Sequence, residues 1–177
     1  MDILFLCVII FLFLLAVFDL SVGVSNDAVN FLNSALGSKA APFKRIMIVA
    51  SIGVFIGAAM SNGMMDVARH GIFRPENFAF YDLICIFMAV MVTDIILLDI
   101  FNNLGMPTST TVSMVFELLG ATFVVALIKM ASGTTDLGFN DLLNTEKALS
   151  VIIGIFLSVG IAFVFGTVVQ FLTRLLF

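Results

Sequence analysis

The stretch GVSNDAVNFLNSALGSKAAP, residues 23 to 42, decides how this chain reads. It places Asn26, Asp27, Asn30, Asn33 and Ser34 within nine positions, directly after a long apolar run and shortly before another. Polar side chains persist at membrane depth only where protein buries them or a water-filled cavity meets them, so such a segment predicts a solute pathway. The surrounding composition makes membrane depth the right frame. Of 177 residues, 62% are hydrophobic and 11% charged, against roughly 45–50% and about 25% in soluble domains. The chain is therefore expected to be an all-α integral membrane protein with one transmembrane domain over residues 1 to 177. Its net charge of -4 excludes a nucleic-acid binder, which needs a basic face to neutralise phosphates. Cys7 and Cys85 fall in apolar runs without CxxC spacing and read as buried small hydrophobes.

About 20 apolar residues cross a bilayer. On that measure there are about five crossings, near Ile3 to Val24, Ile46 to Met65, Tyr81 to Leu104, Thr108 to Met130 and Ala148 to Leu172. The first is expected to stay uncleaved, because Met1 and Asp2 supply no positive region ahead of it. Residues 25 to 40 are too polar and short for an ordinary span. They predict a re-entrant or half-depth helix, N-capped by Ser25 or Asn26 and packed closely through Ala28, Ser34, Ala35, Gly37 and Ser38. Phe101 to Met106 leaves only a short, uncharged connection, expected to be tucked into the membrane. Lys39, Lys44, Arg45 and Arg174 favour a cytoplasmic C-terminus and an external N-terminus, although Arg69, His70 and Arg74 then oppose the positive-inside rule. An odd number of crossings means that a second copy would enter the membrane inverted, so the chain fits one unit of an inverted-repeat secondary transporter.

Helical spacing aligns the polar residues. Asp27, Asn30 and Ser34 stand at i, i+3 and i+7, and Asn26, Asn30 and Asn33 at i, i+4 and i+7, which makes one broad stripe of oxygen ligands suited to a hard cation such as sodium. The alternative is that they only cross-link neighbouring helices. A second unusual segment, Gly105, Met106, Pro107, Thr108, Ser109, Thr110, Thr111, complements the first. It puts Pro107 in a first helical turn and four hydroxyls at the positive end of a helix, an anion site that can hold phosphate without Lys or Arg, or else a capped kink that only packs. Acids inside the later spans must face protein, water or ions. Glu117 shares a stripe with Thr110 and Ser113, is expected to reach the same cavity as the anion site, and is counted with the candidate cation ligands. Asp99 forms a second cation site or caps the connection with Asn102 and Asn103, and Asp94 is either functional or bonded to a neighbouring helix.

These two segments resemble the paired signatures of the inorganic phosphate transporter family, and together with span order the resemblance covers nearly the whole chain. Residues 23 to 42 are similar to its GxNDxxNxxxxxxGSKA signature, and GMPTSTTVSMVFELLGA, residues 105 to 121, to its Pro-x-Ser-Thr-Thr segment and the following apolar helix. Bacterial long-form members are the most similar. The resemblance implies an inner-membrane symporter that moves inorganic phosphate with sodium or protons, built from two inverted repeats. It implies that Asn26, Asp27 and Asn30 bind the cation and that Ser109, Thr110 and Thr111, with Thr108 beside them, contact phosphate. Only one repeat is present, so a second repeat in a longer polypeptide or an oppositely oriented homodimer partner is implied. The chain departs from the pattern at Val112, where the family usually has His, and at Ala28 and Val29, where the usual order is shifted.

An enzyme is not expected, and no cofactor beyond the coupling ion. Tyr81 and Asp82 form a YD pair with no GxGD after it, and His70, the single His, stands outside any HExxH and reads as a solvated loop residue. A non-transporting assembly subunit is the remaining alternative, with the polar stripes serving only helix packing.

Overall fold

In lipid the backbone must satisfy its own hydrogen bonds, and a chain this apolar does so through helices. The computed structural model describes residues 3–61 and 71–176. Helix α1 spans Ile3–Gly37 and α2 spans Phe43–Ala59. A short 3-10 turn at Pro75–Asn77 leads into α3, Phe80–Leu104. Helix α4, Thr110–Ala131, follows, then a single turn, α5, at Phe139–Leu142, and finally α6, Thr145–Leu176. Among the described residues, α1, α3, α4 and α6 are long and apolar enough to cross a membrane. The protein is an all-α, multi-pass membrane protein. The second expected crossing corresponds to the 17-residue α2; residues 62 to 65 of that span, Arg69 and His70 lie outside the described residues.

The expected separate half-depth helix at residues 25 to 40 is instead the continuation of α1, which runs 35 residues without a break. Ser25 and Asn26 are therefore not caps. The Ser25 hydroxyl donates to the Ser21 carbonyl at 2.8 Å, a bond made inside the helix. The backbone has no reason to unwind, because the polar side chains find partners on other helices and no Pro interrupts residues 3–37. The helix stops at Gly37, after which Lys39 takes a left-handed φ of 51° and Pro42 precedes α2.

Helices α1 and α3 run parallel at a nearly constant register. The rings of Phe5 and Phe80 are 5.8 Å apart at one end, and Asn26 bonds Asn102 near the other. Helix α4 returns antiparallel. Ile86 and Val90 of α3 meet Val115, Leu118 and Ala126 of α4 in a buried core. This core is sealed at the end opposite the α3–α4 connection, where Phe73 pairs with Leu143 in an isolated antiparallel bridge and Ile72, Phe73, Leu142 and Leu143 are all buried. Asp82 anchors the same end by accepting from Lys129 at 2.7 Å and from the Ala79 N–H at 2.9 Å. That double engagement gives Asp82 a structural role. Cys7 is exposed on the chain surface and Cys85 half-buried, so only Cys85 approaches the buried position expected of both.

The α3–α4 connection is compact because Gly105 closes α3 with φ 67°, its N–H bonding the Asn102 carbonyl and the next N–H, that of Met106, bonding the Phe101 carbonyl at 2.9 Å. This is a glycine helix stop. Gly105→Ala is expected to lower stability by about 1 kcal/mol, the cost of a left-handed non-glycine residue, read as a lower thermal midpoint in detergent.

Candidate functional site

The site is a polar seam where α1 passes the α3–α4 connection. Its centre is Asn26, the amide most deeply buried, at 1% exposure. Its Oδ1 accepts from the Thr108 N–H at 3.0 Å, and its Nδ2 donates to Asn102 Oδ1 at 2.8 Å. Asn102 in turn donates to the Val22 carbonyl at 3.4 Å. One helical turn along α1, Asn30 Nδ2 donates to the Thr108 carbonyl at 3.2 Å. Thr108 is thus held by both of its backbone groups from α1. Asp27 completes the clamp: its Oδ2 accepts from the Thr110 hydroxyl at 2.8 Å. The two sequence segments that looked complementary are in direct contact.

Helix α4 begins at Thr110 with Ser109 as N-cap, whose Oγ accepts from the Val112 N–H at 3.4 Å. Pro107 consequently lies two residues before the cap instead of in the first turn. The reason is visible in the clamp, because the Asn26 and Asn30 bonds keep Thr108 outside the helix. Ser109 and Thr111 are exposed and Thr108 and Thr110 half-buried, so the hydroxyls crowd the N-terminal end of a 22-residue helix with part of their surface open. Oriented N–H groups and hydroxyl donors at that end make an anion-binding geometry. Asp27 Oδ1 and Asn30 Oδ1 take no hydrogen bond among the described residues, which leaves oxygen ligands beside the same helix end.

The helices meet most closely around Gly23, where space is limited. A Cβ there would sit 3.5 Å from Thr110 Cγ2 and 3.7 Å from Leu98 Cδ1, ordinary contact distances with no space beyond them. Gly23→Ala is expected to be tolerated, whereas Gly23→Leu is expected to push α4 off α1 and to lower the thermal midpoint by several degrees, roughly what 1–3 kcal/mol of overpacking produces.

The other expected residues part company here. Asn33 and Ser34 are exposed beyond the clamp. Asp99 is exposed and accepts from Asn103 Nδ2 at 3.1 Å, within its own helix, so it does not join Asn26, Asp27 and Asn30. Glu117 does not reach the α4 N-terminus either. It lies seven residues along, about 10 Å, with Ser113, Asp94 and Asp19. Fully buried Leu98 stands between this lower group and the clamp, four residues from both Asp94 and Asn102. Asp19 is the residue that the apolar pattern hid. Its signal was a lone carboxylate seven residues before Asn26, on the same face of α1.

The phosphate transporter family matches residues 23–177. The chain belongs to that family. The match starts at Gly23, the glycine of the helix contact, and takes in both halves of the clamp. No curated protein and no solved structure matches the chain. Membership makes this phosphate transporter family protein a carrier and not an enzyme, and with four helices among the described residues long and apolar enough to cross a membrane it is an integral membrane protein for which the inner membrane is the usual location. Phosphate transport supplies the anion that the hydroxyl-lined end of α4 suits.

Proposed function

We propose that the chain is one unit of a secondary phosphate importer in which a cation, sodium, binds beside phosphate at the clamp. The observation that carries this reading is the contact between the Asn-Asp segment and the hydroxyl-lined helix end, through Thr108 and Thr110. Phosphate is held by the Ser109 and Thr111 hydroxyls and by the first N–H groups of α4, that of Thr110 among them, with the Thr110 hydroxyl engaged by Asp27 and Thr108 positioned beside them. Sodium takes Asp27 Oδ1 and Asn30 Oδ1, with Asn26 fixing their register; hard oxygen donors suit that ion. Cation and anion next to one another largely cancel, which lowers the cost of carrying the loaded site through the bilayer. The bonds at the clamp join α1 to the end of α3, to the α3–α4 connection and to the start of α4, so loading there is placed to alter how these elements pack.

A second unit in the opposite orientation, as an inverted repeat or a homodimer partner, completes the pathway in this reading. The residues of α6 from Phe156 to Leu176 are all exposed and apolar over most of their length, a surface that suits lipid contact. The test is radiolabelled phosphate uptake into proteoliposomes holding the purified chain under an inward sodium gradient. Uptake is expected to be sodium-dependent, and Asp27→Asn is expected to raise the sodium concentration for half-maximal uptake at least tenfold. Sodium dependence identical to that of the wild type in Asp27→Asn removes the sodium assignment.

A further inference from the structure

Asp19 of α1, Asp94 of α3 and Glu117 of α4 converge inside the helix bundle, one apolar layer away from the clamp. Asp94 is 5% exposed. Asp19 and Glu117 both lie near enough to Asp94 for the carboxyls to repel one another when charged. Ser113 Oγ stands 2.8 Å from Asp94 Oδ1 and 2.7 Å from Glu117 Oε1. One hydroxyl carries one hydrogen and cannot donate to both. The arrangement is satisfied when one of the two carboxyls carries a proton, so that Ser113 accepts from it and donates to the other.

Two further atoms point the same way. Asp19 Oδ1 and Glu117 Oε2 are each buried to under 1 Å² and have no hydrogen-bond partner among the described residues. A buried carboxylate oxygen without a donor is costly, and a proton on that oxygen, or shared with a neighbouring one, removes the charge. No basic side chain offsets the three acids from any of the three helices. Helix α4 carries Lys129, twelve residues beyond Glu117 and engaged by Asp82, while the described parts of α1 and α3 carry no Lys, Arg or His. Among the described residues no three Asp, Glu, His or Cys side chains take metal-holding geometry, so the group is not arranged as a metal cage. Glu117 also lines an apolar cavity of about 490 Å³ with Cys85, Ala89, Thr93 and Gly120, where a lone charge would be poorly solvated.

We propose that Asp19, Asp94 and Glu117, joined through Ser113, form a proton-binding site inside the bundle, and that proton loading there is coupled to phosphate movement. The coupling part rests on the phosphate-import reading above; the proton site itself does not. The proton is taken up by a carboxylate oxygen and returned to solvent as the site opens, with no other bond made or broken. Leu98 and Gly23 separate this site from the clamp while the same three helices build both, so the packing that one site sets is felt at the other.

The proton site is tested by infrared spectroscopy of the purified chain at neutral pH. A protonated-carboxyl band that shifts in deuterium oxide is expected in the wild type, reduced in Glu117→Gln and absent in the triple change Asp19→Asn, Asp94→Asn, Glu117→Gln. The amides match a protonated acid in shape, and Asp94→Asn alone serves if the triple variant fails to fold. A wild-type spectrum with no such band overturns the site. Coupling is tested by phosphate uptake under an inward proton gradient with sodium held equal on both sides: at least a tenfold loss of the proton-driven component in Glu117→Gln is expected, with phosphate binding retained. Equal proton-driven uptake in the two proteins overturns the coupling. Wild type that binds no phosphate defeats the import reading instead, while the infrared band still decides the proton site.

Discussion

Asn26→Leu is expected to weaken phosphate binding by roughly 30-fold or more. The side chain is of similar size, so the change removes chemistry more than volume. It leaves the half-buried Thr108 N–H without its acceptor and the exposed Asn102 without the donor to its Oδ1, while the buried Asn26 position loses both of its bonds. Each of the two hydrogen bonds contributes about 0.5–1.5 kcal/mol, and a combined loss of about 2 kcal/mol in the bound geometry is already some 30-fold in affinity. The effect acts through Thr108, which no longer holds the start of α4 against α1. Binding of radiolabelled phosphate to the folded fraction, with the thermal midpoint measured in parallel, separates lost positioning from lost fold. A folded Asn26→Leu protein with unchanged affinity would show that the clamp does not set the anion site.

The second large effect is expected from Ser109→Ala, Thr110→Ala and Thr111→Ala together. The Thr110 hydroxyl donates to Asp27, which leaves Ser109 and Thr111 as hydroxyl donors. Each hydroxyl that donates to a charged oxyanion contributes about 1.5–3 kcal/mol, so two of them at the low end correspond to roughly a hundredfold in affinity. Part of the change falls on the fold, because Ser109 caps α4 and losing a cap costs about 1 kcal/mol. Thr167→Ala provides the control, since that hydroxyl donates to the Phe163 carbonyl within exposed α6. Phosphate affinity that survives the triple change would move the anion away from the N-terminus of α4.

Much of this arrangement was legible in the residues. Apolar run lengths located α3 and α4 to within two residues at each end, because a span long enough for the bilayer is hard to mistake. The pairing of the Asn-Asp segment with the Thr-Ser-Thr-Thr segment was also legible, since each carried more polar groups than lipid tolerates and each lacked what the other supplied. The continuity of α1 was not. Polarity at residues 25 to 34 argued for a break, yet helix backbone and side-chain partners are separate questions, and the partners came from residues 102 to 110. The placement of Pro107 failed for a related reason, as tertiary bonds to Thr108 outweighed the local preference of proline for a first turn. Glu117 had the right helical stripe but the wrong depth, because i+7 lies two turns from the helix end. Asp19 was invisible to any search for polar clusters along the sequence, since its partners are about 75 and 100 residues away.

The central claim is that phosphate binds where α1 clamps the start of α4. Its most direct test is equilibrium binding of radiolabelled phosphate to the purified chain in detergent, with and without sodium and with sulfate as competitor. The account predicts saturable binding that sodium strengthens, that sulfate does not displace, and that the Ser109, Thr110 and Thr111 replacements remove. Absence of saturable binding, or binding that survives those replacements, would contradict it.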